Sequence, residues 1–139
     1  MSKTQSIATQ RIYPALRFND AKAAIAWLCA ALGCEEREVN ANEDGTIAHA
    51  ELWLDGNVIM LGSSKPDAFG RSPKDLGGVS TTLYVACATS GDVDAHYQRA
   101  KNAGARILRE PTEMEYGSHE FSLADPEGHV WSFGTYQPQ

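Results

Sequence analysis

The chain has 139 residues, enough for one compact domain and too few for two of ordinary size. Apolar residues make up 42% and charged residues 22%, which excludes a disordered chain. Eighteen acidic side chains against twelve basic ones give a formal charge of -6, a field that repels phosphate and argues against nucleic-acid binding while favouring a cationic partner.

Residues 1–10 are polar and lack the apolar core of a signal peptide. The longest apolar run, Ala23 to Cys34, spans twelve residues, short of the roughly 20 a membrane crossing needs. Cys29, Cys34 and Cys87 form neither a CxxC pair nor an even set, so they read as buried thiols of a reducing, cytoplasmic protein.

In chain order, Ile12–Phe18 reads as a strand with Ile12, Leu16 and Phe18 on one face, and Pro14 suits an edge. Asn19-Asp20 offers a cap for a helix carrying Ala21, Ile25, Leu28, Cys29 and Leu32 on one side, and Gly33 stops it. Three strands follow, near Glu35–Asn40, Ile47–Leu54 and Asn57–Leu61, parted by the turns Glu43-Asp44-Gly45 and Asp55-Gly56-Asn57. Residues 63–78 have no period and read as a linker. The pattern then restarts with a strand at Ser80–Ala86. A helix capped by Asp92 comes next, with Val93, His96, Tyr97 and Ala100 inward, and Gly104 closes it. Arg106–Arg109, His119–Leu123 and His129–Gly134 complete the set, the last two joined by the tight turn Asp125-Pro126-Glu127-Gly128.

Both halves therefore read β-α-β-β-β. Gly33 recurs as Gly104 at an offset of 71, and Gly56–Gly62 recurs as Gly128–Gly134 at an offset of 72. The expectation is one domain over 1–139, with a first repeat at 11–62 and a second at 79–136. Its fold class is α+β, two β-α-β-β-β repeats forming cupped mixed sheets around a central cavity. Strand alternation sends Ile59, Leu61, Trp131 and Phe133 to the helix side, and Val58, Met60, Val130 and Ser132 to the cup. It also sends Tyr13, Ala15 and Arg17, and Ser80, Thr82 and Tyr84, to the cup. Ala48, Ala50, Leu52 and Leu54 form an apolar row that leaves His49, Glu51 and Trp53 facing the cup.

The opening Tyr13-Pro14-Ala15-Leu16-Arg17-Phe18-Asn19-Asp20-Ala21, the turn Ala31-Leu32-Gly33 and the closing Asp125-Pro126-Glu127-Gly128-His129-Val130-Trp131 resemble the glyoxalase/bleomycin-resistance/dioxygenase family, the vicinal-oxygen-chelate superfamily. The resemblance covers nearly all of Ile12 to Tyr136 and is nearest to a branch of small PhnB-like proteins. It implies four metal-ligand positions, two per half, which fall here on Tyr13, Met60, Ser80 and Ser132. Those side chains do not make the His, Glu or Gln set a divalent ion wants in such a site, so neither metal nor other cofactor is expected. Family members without metal resemble homodimeric proteins that sequester drugs such as bleomycin between two subunits.

The expected ligand-binding residues are Tyr13, His49, Glu51, Trp53, Met60, Ser80, Thr82, Tyr84, Phe121 and Ser132. Tyr13, Trp53, Tyr84 and Phe121 are candidates for an aromatic cage, and Ser80, Thr82 and Ser132 add hydroxyls to the same space. His49 and Glu51, two apart on a strand, point to one side. They read as a polar ligand-contacting pair, with acid–base or displaced metal-ligand roles as the alternative. His119 reads as a loop-to-strand residue with pocket-mouth contact as its alternative, and His96 and His129 as structural. No activated-serine or phosphate-loop motif is present. The expected function is metal-independent binding or sequestration of a small organic, cationic or antibiotic-like ligand by a homodimer. The alternative is a lyase, isomerase or dioxygenase using displaced ligands such as His49, Glu51 and His119, or the His49/Glu51 pair as acid and base.

Overall fold

The structure, a computed structural model, describes residues 10–138; the polar stretch 1–9 lies outside the described residues. The chain divides into two compact units, one holding the residues up to Cys29 and Gly33–Ser72, the other Ala30–Leu32 and Pro73–Gln139. The division at Ser72/Pro73 falls inside the expected linker.

The first unit contains β1 (Ala15–Phe18), the helix α1 (Ala21–Leu32, its last turn assigned to the second unit), β2 (Glu35–Ala41), β3 (Ile47–Leu54) and β4 (Asn57–Ser63). Its sheet runs β1-β4-β3-β2, with β1 parallel to β4 and the other pairs antiparallel. Asp20 caps α1 by accepting from the Ala23 N–H at 3.0 Å, and Gly33 ends it in the left-handed region at φ 74°. β1 is shorter than expected. Ile12 is 89% exposed and shares no face with Leu16. The Gln10 carboxamide supplies what a longer β1 would: it donates to the Val58 carbonyl at 2.9 Å and accepts from the Val58 N–H at 2.7 Å.

The second unit contains α2 (Pro73–Leu76), β5 (Leu83–Ala86), α3 (Ser90–Asn102), β6 (Arg106–Glu113), β7 (His119–Ala124) and β8 (Val130–Gly134), and its sheet runs β5-β8-β7-β6. The linker thus holds a single helical turn. The cap of α3 is Thr89, whose side chain accepts from Asp92 N, and not Asp92, which sits in the first turn where a negative charge suits the helix dipole. β6 runs past its expected end through Pro111, which an edge strand tolerates.

Matching strand orders in the two units bear out the repeat and the α+β class. In the first unit the rows Ala50/Leu52/Leu54 and Ile59/Leu61 are buried, as is the α1 stripe Ala21, Ala24, Ile25 and Leu28. In the second, α3 packs on the face carrying Phe121, Leu123, Trp131 and Phe133. Tyr97 meets Phe121 edge-on at 5.4 Å, His96 stacks on Phe133 at 4.6 Å, and Phe121 stacks on Phe133 at 5.1 Å. Among the described residues no helix is long and apolar enough to cross a membrane. Truncating Phe121 to Ala removes a fully buried ring from this stack and is expected to destabilise the protein by about 3–5 kcal/mol in urea unfolding.

Candidate functional site

The strand registers place Ala15 beside Met60 and Arg17 beside Gly62, and on the other side of β4 they set Glu51 beside Met60 and Trp53 beside Val58. These residues share the sheet face opposite the Ala50/Leu52/Leu54 row. A pocket of about 200 Å³ opens there, walled by Ala15, Arg17, His49 and Met60 with Lys65 and Phe69 from the segment after β4. Ala48 also lines it, contrary to the expectation that it joins the apolar row. The β2–β3 pairing jumps from Asn40↔His49 to Ala41↔Ile47, so Ala48 is the extra residue of a bulge and turns outward.

Charged groups here are held by one another. Arg17 donates from both Nη1 and Nη2 to the two Asp67 oxygens, each at 3.2 Å. The Asp67 carboxyl is held below its usual range by the Phe69 N–H and then by Arg17. Glu51 binds His49 Nε2 at 2.9 Å and also pairs with Arg37, and the His49 hydrogen bond, followed by Arg37, holds its carboxyl low. Arg37 lies over the Trp53 ring, 5.5 Å from its centroid. The chain's own cation therefore occupies the aromatic face that was expected to cage a ligand.

In the second unit Tyr84 pairs with Ser132, and Ser132 with Ser122. The Tyr84 hydroxyl donates to the Tyr136 carbonyl at 2.8 Å and is pushed up chiefly by burial. The Ser122 and Ser132 hydroxyls bond each other at 2.7 Å. Ser80 and Thr82 precede β5 and are exposed. Phe121 does not face the cup, a correction with a clear cause: it is the partner of Phe133 and belongs to the row beneath α3, while its neighbours Glu120 and Ser122 take the other face. His119 spans three elements, with Nε2 at 2.7 Å from Asp94 on α3 and Nδ1 at 2.8 Å from Glu113 on β6. His129 is buried against Asp125 at the turn, and His96 lies against Phe133.

The positions that the family uses for a metal do not fit one here. Tyr13 donates its hydroxyl to the Gln10 carbonyl at 2.9 Å, Met60 offers a thioether, Ser132 is bonded to Ser122 and Ser80 is exposed outside the strand. Carboxylates engage both ring nitrogens of His119.

Two four-stranded mixed sheets of this order define the vicinal-oxygen-chelate architecture. The chain belongs to the Glyoxalase/Bleomycin resistance protein/Dioxygenase superfamily, whose model matches residues 11–133. It is 36% identical over 124 residues to the uncharacterized protein Rv0887c of Mycobacterium tuberculosis, covering 87% of this chain and 71% of that one. TioX from Micromonospora sp. ML1 is similar in structure, with a TM-score of 0.68 and 27% identity over 91% of this chain and 100% of that one. The fosfomycin resistance protein FosX from Listeria monocytogenes, solved with Mn(II) and sulfate, shares the fold at a TM-score of 0.66 and 14% identity, covering 93% of each chain.

Sequence reasoning placed Arg17 on the correct face without marking it as a site residue, and passed over Lys65, Asp67 and Phe69 as linker. The signal for Arg17 was its pairing position opposite Gly62, which has no side chain to cover it. The linker residues carry no periodicity that would have found them. The His119 clamp generates a pH dependence. Asp94, and then Glu113, raise its folded-state pKa above the ordinary 6.5, so its stabilisation is full below that value and is lost as pH rises through the elevated one. Tm measured against pH should therefore fall across that window in the native protein, and His119→Gln should remove that part of the slope.

Proposed function

We propose that the protein binds a small organic molecule in the hollow of its first sheet, without a metal. The observation that carries this reading is the pocket itself. Ala15, Ala48 and Gly62 keep its wall low, Met60 and Phe69 offer apolar contact, and Arg17, His49 and Lys65 offer polar ends. Membership of a superfamily described by bleomycin resistance proteins supports sequestration of an antibiotic-like compound as the biological use. A cationic ligand, favoured by net charge, is not favoured by this wall, which presents cationic groups of its own.

Glu51 already holds two partners and is depressed as a base, which favours binding over acid–base chemistry at the His49/Glu51 pair. A homodimer belongs to the same reading, since Ile12 at 89% exposure leaves a large apolar group outside the pocket for a second copy to cover. A reducing, cytoplasmic setting also belongs to it, because all three cysteines are free.

N-phenyl-1-naphthylamine, an uncharged dye that brightens in apolar sites, tests the pocket directly. We expect saturable binding to the native protein and at least about tenfold weaker binding to Ala48→Phe, whose ring would fill the hollow, with Tm unchanged. Absence of saturable binding, or binding indifferent to that substitution, overturns the reading. Sedimentation velocity should show two chains per particle at micromolar concentration; a single-chain particle removes the dimer from it.

A further inference from the structure

Resting on that reading of the hollow, we infer that its ligand is an organic oxyanion whose head group takes the place of Asp67 on the Arg17 guanidinium. No aspartate or glutamate lines the pocket, whereas Arg17, Lys65 and His49 all do. The oxyanion that Arg17 holds in the free protein comes from outside the lining, on the segment between β4 and α2. Asp67 presents both oxygens to the guanidinium fork, the geometry a carboxylate, phosphonate or sulfonate head group would adopt.

Asp67 holds this place loosely. Both contacts are 3.2 Å, longer than the roughly 2.7–2.9 Å of a strong charge-assisted bond. The Asp67 side chain is 28% exposed and that of Arg17 14%, so the acid can leave to water while the guanidinium stays partly shielded. Gly70 lies close to the Arg17 stem, where an added Cβ would come 3.3 Å from Arg17 Cγ, and Gly62, paired with Arg17, has no side chain to block approach. Lys65, two residues before Asp67, adds a second positive charge on the same wall. Met60 and Phe69 then receive the apolar body of the ligand. Phe69 is coupled to the exchange, since its N–H donates to Asp67 Oδ1 at 2.9 Å and loses that acceptor when Asp67 withdraws.

The probe is 8-anilinonaphthalene-1-sulfonate, which carries the ring system of N-phenyl-1-naphthylamine plus one sulfonate. In fluorescence titrations of the full chain, the native protein should bind the sulfonate about tenfold more tightly than the neutral dye. Arg17→Gln should erase that difference, and Asp67→Asn should tighten the sulfonate severalfold by freeing the fork. Arg17→Lys keeps the charge and loses the fork, so it should fall between native and Arg17→Gln; with Asp67→Asn it carries the test if Arg17→Gln fails to fold. Equal affinity for the two dyes, or no gain in Asp67→Asn, overturns the oxyanion inference. If both dyes still weaken in Ala48→Phe, the hollow stands and only its charge preference falls. If neither responds to that substitution, the hollow falls too.

Discussion

One buried carboxylate sets the register on which the second sheet depends. Asp125 has no exposed side-chain surface, and its oxygens accept from the N–H groups of Glu127 and His129, from His129 Nδ1 and from Trp131 Nε1. The donors come from the turn, from His129 just before β8 and from Trp131 within it, so satisfying the acid fixes where β8 starts. A carboxylate buried without those donors would cost several kcal/mol, which makes any other register expensive. Slipping β8 by one residue would turn Trp131 and Phe133 away from α3 and bring Ser132 beneath it. Everything on the open face of that sheet, from Tyr84 beside Ser132 to Glu120 beside Gly134, inherits its place from this turn.

With register fixed, two glycines at matching places of the repeat lead to opposite outcomes. Gly62 and Gly134 both sit on the open face, two residues after Met60 and Ser132. In the second unit the vacated space is full: a Cβ on Gly134 would lie 2.5 Å from Glu120 Cγ, 2.7 Å from Tyr84 Oη and 3.0 Å from Ser118 Oγ. In the first unit the residue paired with Met60 is Ala15, where Ser132 has Tyr84, so no ring reaches across. The three atoms nearest a Cβ on Gly62 are all backbone, the bulge carbonyl of Ala48 at 3.1 Å first. The alanine-for-tyrosine difference leaves a pocket on one sheet, while Tyr84, Glu120 and Ser118 fill the matching space on the other.

Most of this scaffold was legible in the sequence because its determinants are local and periodic. Alternation placed His49, Glu51 and Met60 on the open face, and the Asp125–Gly128 turn and Gly33 stop announced themselves by residue type. Phe121 was misplaced because aromatic character suggested a cage, although the repeat held the answer: Ala50 pairs with Leu61 as Phe121 pairs with Phe133, one residue before each glycine. Ala48 was misplaced because a bulge breaks period two at one residue without altering composition. The Asp67–Arg17 pair was out of reach, since it joins residues fifty apart through a segment whose path follows no pattern.

Net charge and the pocket wall point to different ligands for a reason of distance. A net charge of -6 describes the field far from the molecule, and salt screens that field over a Debye length of roughly 8–10 Å. Acids crowd the outer strand β2, where Glu35, Glu36 and Glu38 are exposed, and none reaches the pocket wall. A ligand in the proposed hollow would meet Arg17 and Lys65 at contact range, where direct hydrogen bonds outweigh the screened average. Net charge bears on association at a distance, whereas selectivity in the proposed site would rest on the few groups within hydrogen-bond reach of a ligand, and on this wall Arg17 and Lys65 are donors.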